Sequence, residues 1–201
     1  DADALSAQIL SLARCAEKLG FTAGRFGMGE PASQEAKTWW LMGVNDRLKK
    51  ANRRSYQEIM YEICRVPGPV ARPELPARLL DEALIARCRT MLGLAAGRKV
   101  IGLNTGGGGR WQCKKWTVGG FVELIRRLRK QAPEAALLLY GGPEEETFNA
   151  AIMKECAVQV ADLGCRNSVG DFVSLVSLAD VVFTMDSLGF HIAVALGKRT
   201  V

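Results

Sequence analysis

Three short polar stretches of the chain could bind a phosphorylated ligand, and the first is rich in glycine. It consists of Asn104, Thr105, Gly106, Gly107, Gly108, Gly109 and Arg110, with Lys114 four residues further on. Glycine lets backbone N–H groups approach an anion closely, and a nearby lysine can neutralise the charge. The spacing is not that of a Walker A loop or of G-x-G-x-x-G opening into a helix. The pattern fits an anion-binding loop, and it also fits an ordinary surface loop.

The second stretch joins two glycines and a proline to three acids, Glu144, Glu145 and Glu146. A carboxylate at a turn from strand to helix can accept two hydrogen bonds from a vicinal diol such as that of ribose. Acids in a first helical turn also suit the positive end of the helix dipole. The sequence leaves both interpretations open for these glutamates.

The third stretch begins with Asp186 and Ser187, directly after the apolar segment 181–185. A helix is expected to follow, and its first N–H groups have no partner within the helix, so they can bind an anion. His191, the single histidine of the chain, falls one turn into that helix. It is expected either to complete a pocket or to pack as an ordinary core residue.

Alternating strands and helices after residue 78 place these stretches in a fold. Apolar strands are expected at 99–104, 137–140, 158–160 with its flanks, 181–185 and 200–201. Amphipathic helices separate them, and Ser168 with Asp171 forms a capping box at the start of one. This order predicts an α/β fold with a parallel sheet that helices cover on both faces. Ligands bind beyond the carboxyl ends of such strands, where the three stretches should lie together.

The N-terminal third is less regular and ends in a proline-rich segment. A helix is expected over 4–19, a strand over 21–23, and one or two helices over 31–64. Residues 65–76 then hold four of the seven prolines in the chain, which excludes helix. We therefore predict a partial N-terminal lobe (1–66), a linker (67–76) and a C-terminal lobe (77–201).

Composition excludes several classes of protein. The 201 residues are 48% hydrophobic and 24% charged, as in folded soluble domains. No uncharged run approaches the ~18 residues that cross a bilayer, and no signal peptide is evident. The six cysteines form no C-x-x-C pair, so a metal site is not expected. The sequence fits a reducing, cytoplasmic compartment.

The net charge of +6 favours an anionic partner. Five of the eight residues in 47–54 are basic, which fits a solvated helix face or contact with a glycolipid acceptor or an anionic surface of the inner membrane. No nucleic-acid-binding motif is present, so nucleic acid is not an expected partner.

The order of the three polar stretches resembles glycosyltransferase family 9, the ADP-heptose:lipopolysaccharide heptosyltransferase family. The shared features are a glycine-rich loop with K-x-W, then G-G-P-x-E, then D-[ST]-x-x-x-H, mainly over residues 99–201. The resemblance implies a B-type glycosyltransferase fold of two Rossmann-like lobes, the first incomplete and the second truncated at its end. It also implies inverting transfer of a sugar, expected to be heptose, from ADP-heptose to a lipopolysaccharide-core or related glycan. The donor is a substrate, and no cofactor or metal is implied.

The resemblance assigns roles by position. Lys114 is expected to neutralise the diphosphate and help the nucleotide leave, and Asp186 to hold sugar hydroxyls; both are expected to be catalytic. Glu145 matches the acid that binds the ribose in the family. Asn167 matches the position at which the backbone of family members packs against the nucleotide base. The other expected binding residues are Thr105, Gly106, Gly107, Gly108, Gly109, Arg110, Ser187, Leu188, Gly189 and His191.

Two positions depart from the family pattern. Leu188 stands two residues after Asp186, where the family has glycine, and Gly189 follows, so a close backbone approach to phosphate is expected one residue later or not at all. The family's catalytic base is an aspartate near the start of the N-terminal lobe, and no such loop precedes Asp3. We therefore expect a truncated portion of a longer enzyme that is inactive alone.

Other functions remain open at this stage. A glycosyltransferase of the same family that uses another nucleotide sugar fits the same residues. A non-catalytic nucleotide-binding module fits the lack of a base. An NAD-type dinucleotide binder is disfavoured because no G-x-G-x-x-G follows a strand.

Overall fold

A computed structural model describes residues 3–107 and 115–201. The chain divides into two compact units, with the division between Ala71 and Arg72. The proline-rich residues 67–76 lie across this division. The C-terminal part of this proline-rich segment belongs to the second unit. There the Leu75 N–H donates to the carbonyl of Ala195 at 3.1 Å. Across the two described ranges, the helices lack the combination of length and hydrophobicity that crossing a bilayer requires.

The first unit packs short helices on a small hairpin. Its elements are α1 (Ala4–Leu12), β1 (Phe21–Ala23), β2 (Gly29–Pro31), α2 (Gln34–Val44), α3 (Asp46–Ala51) and α4 (Tyr56–Ile63). Strands β1 and β2 are antiparallel, with Thr22 opposite Glu30. The core of this unit consists of Ala7, Phe21, Ala36, Met42, Ile59 and Ile63.

The first unit differs from the sequence prediction in three places: its first helix is shorter, strand β2 was not expected, and three helices (α2 to α4) replace the one or two that were expected. The helix expected over 4–19 ends at Leu12, because Ser11 turns to tertiary partners: its carbonyl accepts from Lys18 Nζ and its hydroxyl from the Ala23 N–H, each at 2.7 Å. The basic stretch is itself helical, as α3. The side chain of Asn45 starts this helix by accepting the N–H groups of Arg47 and Leu48.

The second unit alternates helices and strands. Its elements are α5 (Glu82–Met91), β3 (Val100–Asn104), α6 (Val118–Gln131), β4 (Ala136–Tyr140), α7 (Glu146–Glu155), β5 (Ala161–Asp162), α8 (Val169–Ser177), β6 (Val181–Thr184), α9 (Leu188–Ala195) and β7 (Arg199–Thr200). Within the described residues, five strands form a parallel sheet in the order β5-β4-β3-β6-β7. The strand expected at 158–160 lies at Ala161–Asp162, where the chain pairs with β4.

Helices cover both faces of this sheet, as the predicted α/β class requires. Side chains alternate along β4: Leu138 joins the cluster that includes residues of α5, α8 and α9, whereas Leu139 joins the cluster with α6 and α7. Every residue of β4 is buried, which explains its uninterrupted apolar sequence. The parallel sheet with two covered faces confirms the fold class predicted for this lobe.

The strand order determines where a ligand can lie. From β3 the chain moves to β4 and β5 on one side of the sheet, and then returns to β6 and β7 on the other side. Helices that follow β3 and β6 therefore lie on opposite faces, which leaves a crevice beyond the carboxyl ends of these two strands. Asn104 and Thr184, the last residues of β3 and β6, are paired at this point.

Candidate functional site

A cavity of about 320 Å³ opens at the carboxyl ends of the strands. Four successive strand ends contribute to its lining. The contributing residues include Gly106 and Gly107 after β3, Gly142 and Glu145 after β4, Asn167 after β5 and Asp186 after β6. The structure thus brings together the described parts of all three stretches that the sequence singled out.

Glu145 lies in the wall of this cavity and is held in place from two sides. The turn Pro143–Glu145 precedes α7, and the glutamate is only 4% exposed. Its Oε2 accepts the Gly142 N–H at 3.1 Å, and its Oε1 accepts Lys115 Nζ at 2.8 Å. Removing a carboxylate from water is costly unless a charge partner and hydrogen bonds compensate. Lys115 and the Gly142 amide supply that compensation.

Asn104 connects the ends of β3 and β6. It is buried, and its Nδ2 lies 2.9 Å from Thr184 Oγ1 and 3.0 Å from Ser187 Oγ, so its two hydrogens can serve both hydroxyls. The Gly106 carbonyl is a further acceptor at 3.4 Å. These bonds fix the start of α9 relative to the glycine-rich stretch.

The first turn of α9 faces the cavity through Leu188 and Gly189. Ser187 is the N-cap residue, yet no described side chain caps the helix; the Ser187 hydroxyl accepts a hydrogen bond from Asn104. A Cβ on Gly189 would lie 2.4 Å from Asn104 Nδ2. A larger side chain would displace the Asn104 amide, so this turn comes close to Asn104 at Gly189, whereas Leu188 lines the cavity and is 56% exposed.

Two of the predicted site residues lie outside the lining of the cavity. Thr105 is buried, with its hydroxyl 2.9 Å from the Tyr140 carbonyl and 2.6 Å from Asn149 Oδ1. It links β3 to β4 and α7. The His191 side chain is exposed on α9 and contacts the Phe190 ring, with 5.5 Å between ring centroids. Neither side chain is brought to the cavity.

Other predicted residues divide into those that line the cavity and those that cannot be placed. Asn167 lines it, and its Nδ2 donates to the carbonyls of Leu163 and Gly164 at 3.1 Å each. Asp186 lies at the cavity in an exposed position. Gly108, Gly109, Arg110 and Lys114 lie outside the described residues.

The sequence analysis gave no specific role to several residues that the structure places in or beside the cavity wall, among them Lys115, Asn104 and Cys165. Asn104 carried a signal, since a polar residue that ends an apolar strand faces the ligand crevice. Nothing in the spacing distinguished Lys115 from Lys114. Cys165 carried no signal; burial, reinforced by the charges of Asp162 and Glu145, raises the pKa of its thiol to about 11.

No group of three or more histidine, cysteine, aspartate or glutamate side chains is arranged to hold a metal ion in the part of the chain that the structure describes.

A protein-family model, that of glycosyltransferase family 9 (heptosyltransferase), matches residues 54–201, which is more than half of the chain. The chain belongs to glycosyltransferase family 9. A search of curated proteins found no match.

Two solved structures support the same fold for this family 9 chain. A glycosyl transferase of family 9 from Veillonella parvula has a TM-score of 0.60 and 13% identity, and the match covers 74% of this chain and 43% of that one. The ADP-heptose lipopolysaccharide heptosyltransferase II of E. coli has a TM-score of 0.54 and 21% identity, with 67% and 40% covered. The chain therefore spans less than half the length of these structures, and its fold is part of a B-type glycosyltransferase fold, as predicted.

Proposed function

We propose that the second unit is the donor-binding lobe of an inverting glycosyltransferase. Its donor is a nucleotide diphosphate sugar, ADP-heptose by the family relationship, and its acceptor is a lipopolysaccharide-core or related glycan. One observation carries the proposal: a single cavity joins a buried carboxylate, Glu145, to the start of α9, which no described side chain caps. These are the two kinds of group that a nucleotide diphosphate needs for its ribose and its phosphates.

The start of α9 suits the diphosphate. The unsatisfied N–H groups and the dipole of a helix together favour a negative charge at the N-terminus. Asn104 fixes this turn, and Gly189 permits its close packing. The phosphates would therefore meet donors whose positions are already set.

The opposite side of the cavity suits the nucleoside. Both oxygens of Glu145 hold one donor each, which leaves each able to accept one more from a ribose hydroxyl. Val169 and Phe172 provide apolar surface for a base, and Asn167 lines the same cavity. The amide nitrogen of Asn167 is already engaged, so its oxygen is the atom offered to a base.

The transfer step breaks the bond between the anomeric carbon and the diphosphate as an acceptor hydroxyl attacks from the opposite side. Negative charge builds on the departing phosphate, and the amides at the start of α9 would stabilise it. Lys114 is expected to stabilise the same negative charge, and Asp186 is expected to bind the hydroxyls of the sugar. The base that deprotonates the acceptor is not among the residues assigned here, so we expect donor binding without transfer by this chain alone.

The first unit is the part of the chain that we assign to binding of the acceptor. Lys49 and Lys50 are exposed in the last turn of α3, in a unit whose basic stretch has five cations. We propose that this stretch meets an anionic glycolipid at a membrane surface, since each basic residue near such a surface contributes about 1 kcal/mol. Binding to vesicles that contain anionic lipid, lost in 0.5 M salt, would support this; equal binding to neutral vesicles would oppose it.

Calorimetric titration of the chain with ADP, UDP, GDP and NADH tests the proposal, with Glu145→Gln, which alters the carboxylate assigned to the ribose, as the matched variant. We expect ADP to bind best, and the substitution to weaken that binding. A preference for UDP or GDP would still support a glycosyltransferase, but one with a different nucleotide sugar as its donor. A preference for NADH, or no binding by a folded chain, would contradict the proposal.

A further inference from the structure

Lys115 and Glu145 form the most enclosed ion pair among the described residues. Their side chains are 19% and 6% exposed, whereas every other described ion pair has at least one partner that is more than 40% exposed. Exposed pairs contribute little to stability, so most of those pairs need no functional explanation. A pair withdrawn from water at the wall of a cavity does need one.

The geometry leaves Glu145 constrained and still available. Lys115 Nζ occupies one position on Oε1 and the Gly142 N–H occupies one on Oε2. Glycines keep the approach to Oε2 open: a Cβ at Gly142 would lie 3.3 Å from it, and one at Gly106 would lie 3.7 Å away. A carboxylate has about four acceptor positions, so two donors on neighbouring atoms of a ligand can still be accepted.

We propose that Lys115 is a positioning residue that presents Glu145 to the vicinal diol of the nucleotide's ribose. This inference rests on the proposed function. Lys115 acts in two ways through Glu145. It fixes the plane of the carboxylate, and it cancels a negative charge that would otherwise oppose the diphosphate in the same cavity.

The test compares ADP with 2′,3′-dideoxy-ADP, which keeps the base and both phosphates and lacks the diol. The wild-type chain should bind ADP about tenfold more tightly than the dideoxy compound, the scale of one charge-assisted hydrogen bond. Lys115→Met should reduce this ratio of affinities to less than about threefold, mainly by weakening the binding of ADP. Lys115→Arg keeps the charge and should retain most of the ratio. Lys154→Met removes an exposed lysine from the last turn of α7 and should leave the ratio unchanged.

A second variant covers the case in which Lys115→Met does not fold. Lys115→Met combined with Glu145→Gln removes both charges together and avoids an unpaired buried carboxylate. It should fold and show the same reduced preference for ADP.

Three results would overturn the inference. In the first, the preference for ADP survives Lys115→Met. In the second, both nucleotides weaken equally, which would assign Lys115 to the phosphates or to folding alone. In the third, the folded wild-type chain binds neither nucleotide, which would remove the proposed function itself and this inference with it.

Discussion

The two ends of the cavity differ in how their charged groups are satisfied. At the β4 end, Glu145 is buried and already holds Lys115 and the Gly142 amide. At the β6 end, no side chain among the described residues caps the first turn of α9, and Asp186, which has a partner of its own, lies beside this turn. One end is assembled before any ligand arrives, and the other presents backbone donors to the cavity.

This difference indicates which part of a ligand each end can take. A carboxylate that is locked in place accepts hydrogen bonds from neutral hydroxyls, and its oxygens offer no hydrogen-bond donor to a phosphate. The start of a helix does the reverse, because its N–H groups and dipole favour anions. The two ends therefore differ in the groups that they offer, and we expect a nucleotide diphosphate to bind in one orientation.

Breaking the β4 end should have the largest effect on stability. Lys115→Met leaves the Glu145 carboxylate buried and unpaired, so we expect the free energy of unfolding to fall by about 3 kcal/mol. Urea denaturation measures this change. The double variant with Glu145→Gln should lose much less. A loss of under ~0.5 kcal/mol in the single variant, the size of a surface effect, would mean that the pair does not organise this end.

A substitution in the first turn of α9, at the β6 end, should have the second largest effect on stability. Gly189→Ala places a Cβ 2.4 Å from Asn104 Nδ2, so either the amide or the turn of α9 must move. We expect a loss of about 2 kcal/mol in the free energy of unfolding, the usual cost of overpacking a filled site. Gly119→Ala in α6 is the matched control, because its new Cβ would meet nothing within 4 Å. That control should stabilise the chain by up to about 1 kcal/mol. Equal behaviour of the two variants would contradict the close packing.

Lys114 tests whether the phosphate end extends into the glycine-rich stretch. Lys114→Ala is expected to weaken ADP binding by more than ~1 kcal/mol, the scale of a charge-assisted hydrogen bond. Binding of adenosine should change far less, because the expected partner is the diphosphate. Calorimetry with both ligands measures the difference. Unchanged ADP affinity would remove Lys114 from the site.

The smallest effect concerns Cys165, which lies at the β4 end. Its raised pKa, about 11, keeps the thiol protonated at pH 8, and the thiolate is the reactive form. Iodoacetamide should therefore modify the exposed Cys15 and Cys64 well before Cys165, as peptide mass spectrometry can show. The rate at Cys165 should rise steeply as the pH approaches 11. Fast modification of Cys165 at pH 8 would contradict its enclosed position.

Regular patterns made the second unit predictable from sequence. Uninterrupted apolar strands such as β4 and the capping residue Ser168 specify their elements locally. The hairpin strand β2 was not predicted, because Gly29 and Pro31 are poor strand formers and only pairing with β1 makes the strand. Helix α1 ends early for a similar reason, since Ser11 bonds to residues that are distant in sequence.

The site was predictable in location and less so in detail. Parallel strands bring their carboxyl ends together, so Glu145 and Asp186 could be predicted to share a cavity, and the family resemblance added Asn167. The directions of side chains could not be predicted. Nothing in the sequence indicates that Lys115 bonds to Glu145, or that Thr105 turns inward, because these depend on packing between α7 and the strand ends.

The most direct test of the central claim is a crystal structure of the chain with ADP bound. The account predicts ribose oxygens within hydrogen-bonding distance of Glu145 and phosphate oxygens at the amides of Leu188 and Gly189. A nucleotide in the reverse orientation, or one bound away from the carboxyl ends of β3, β4 and β6, would contradict it.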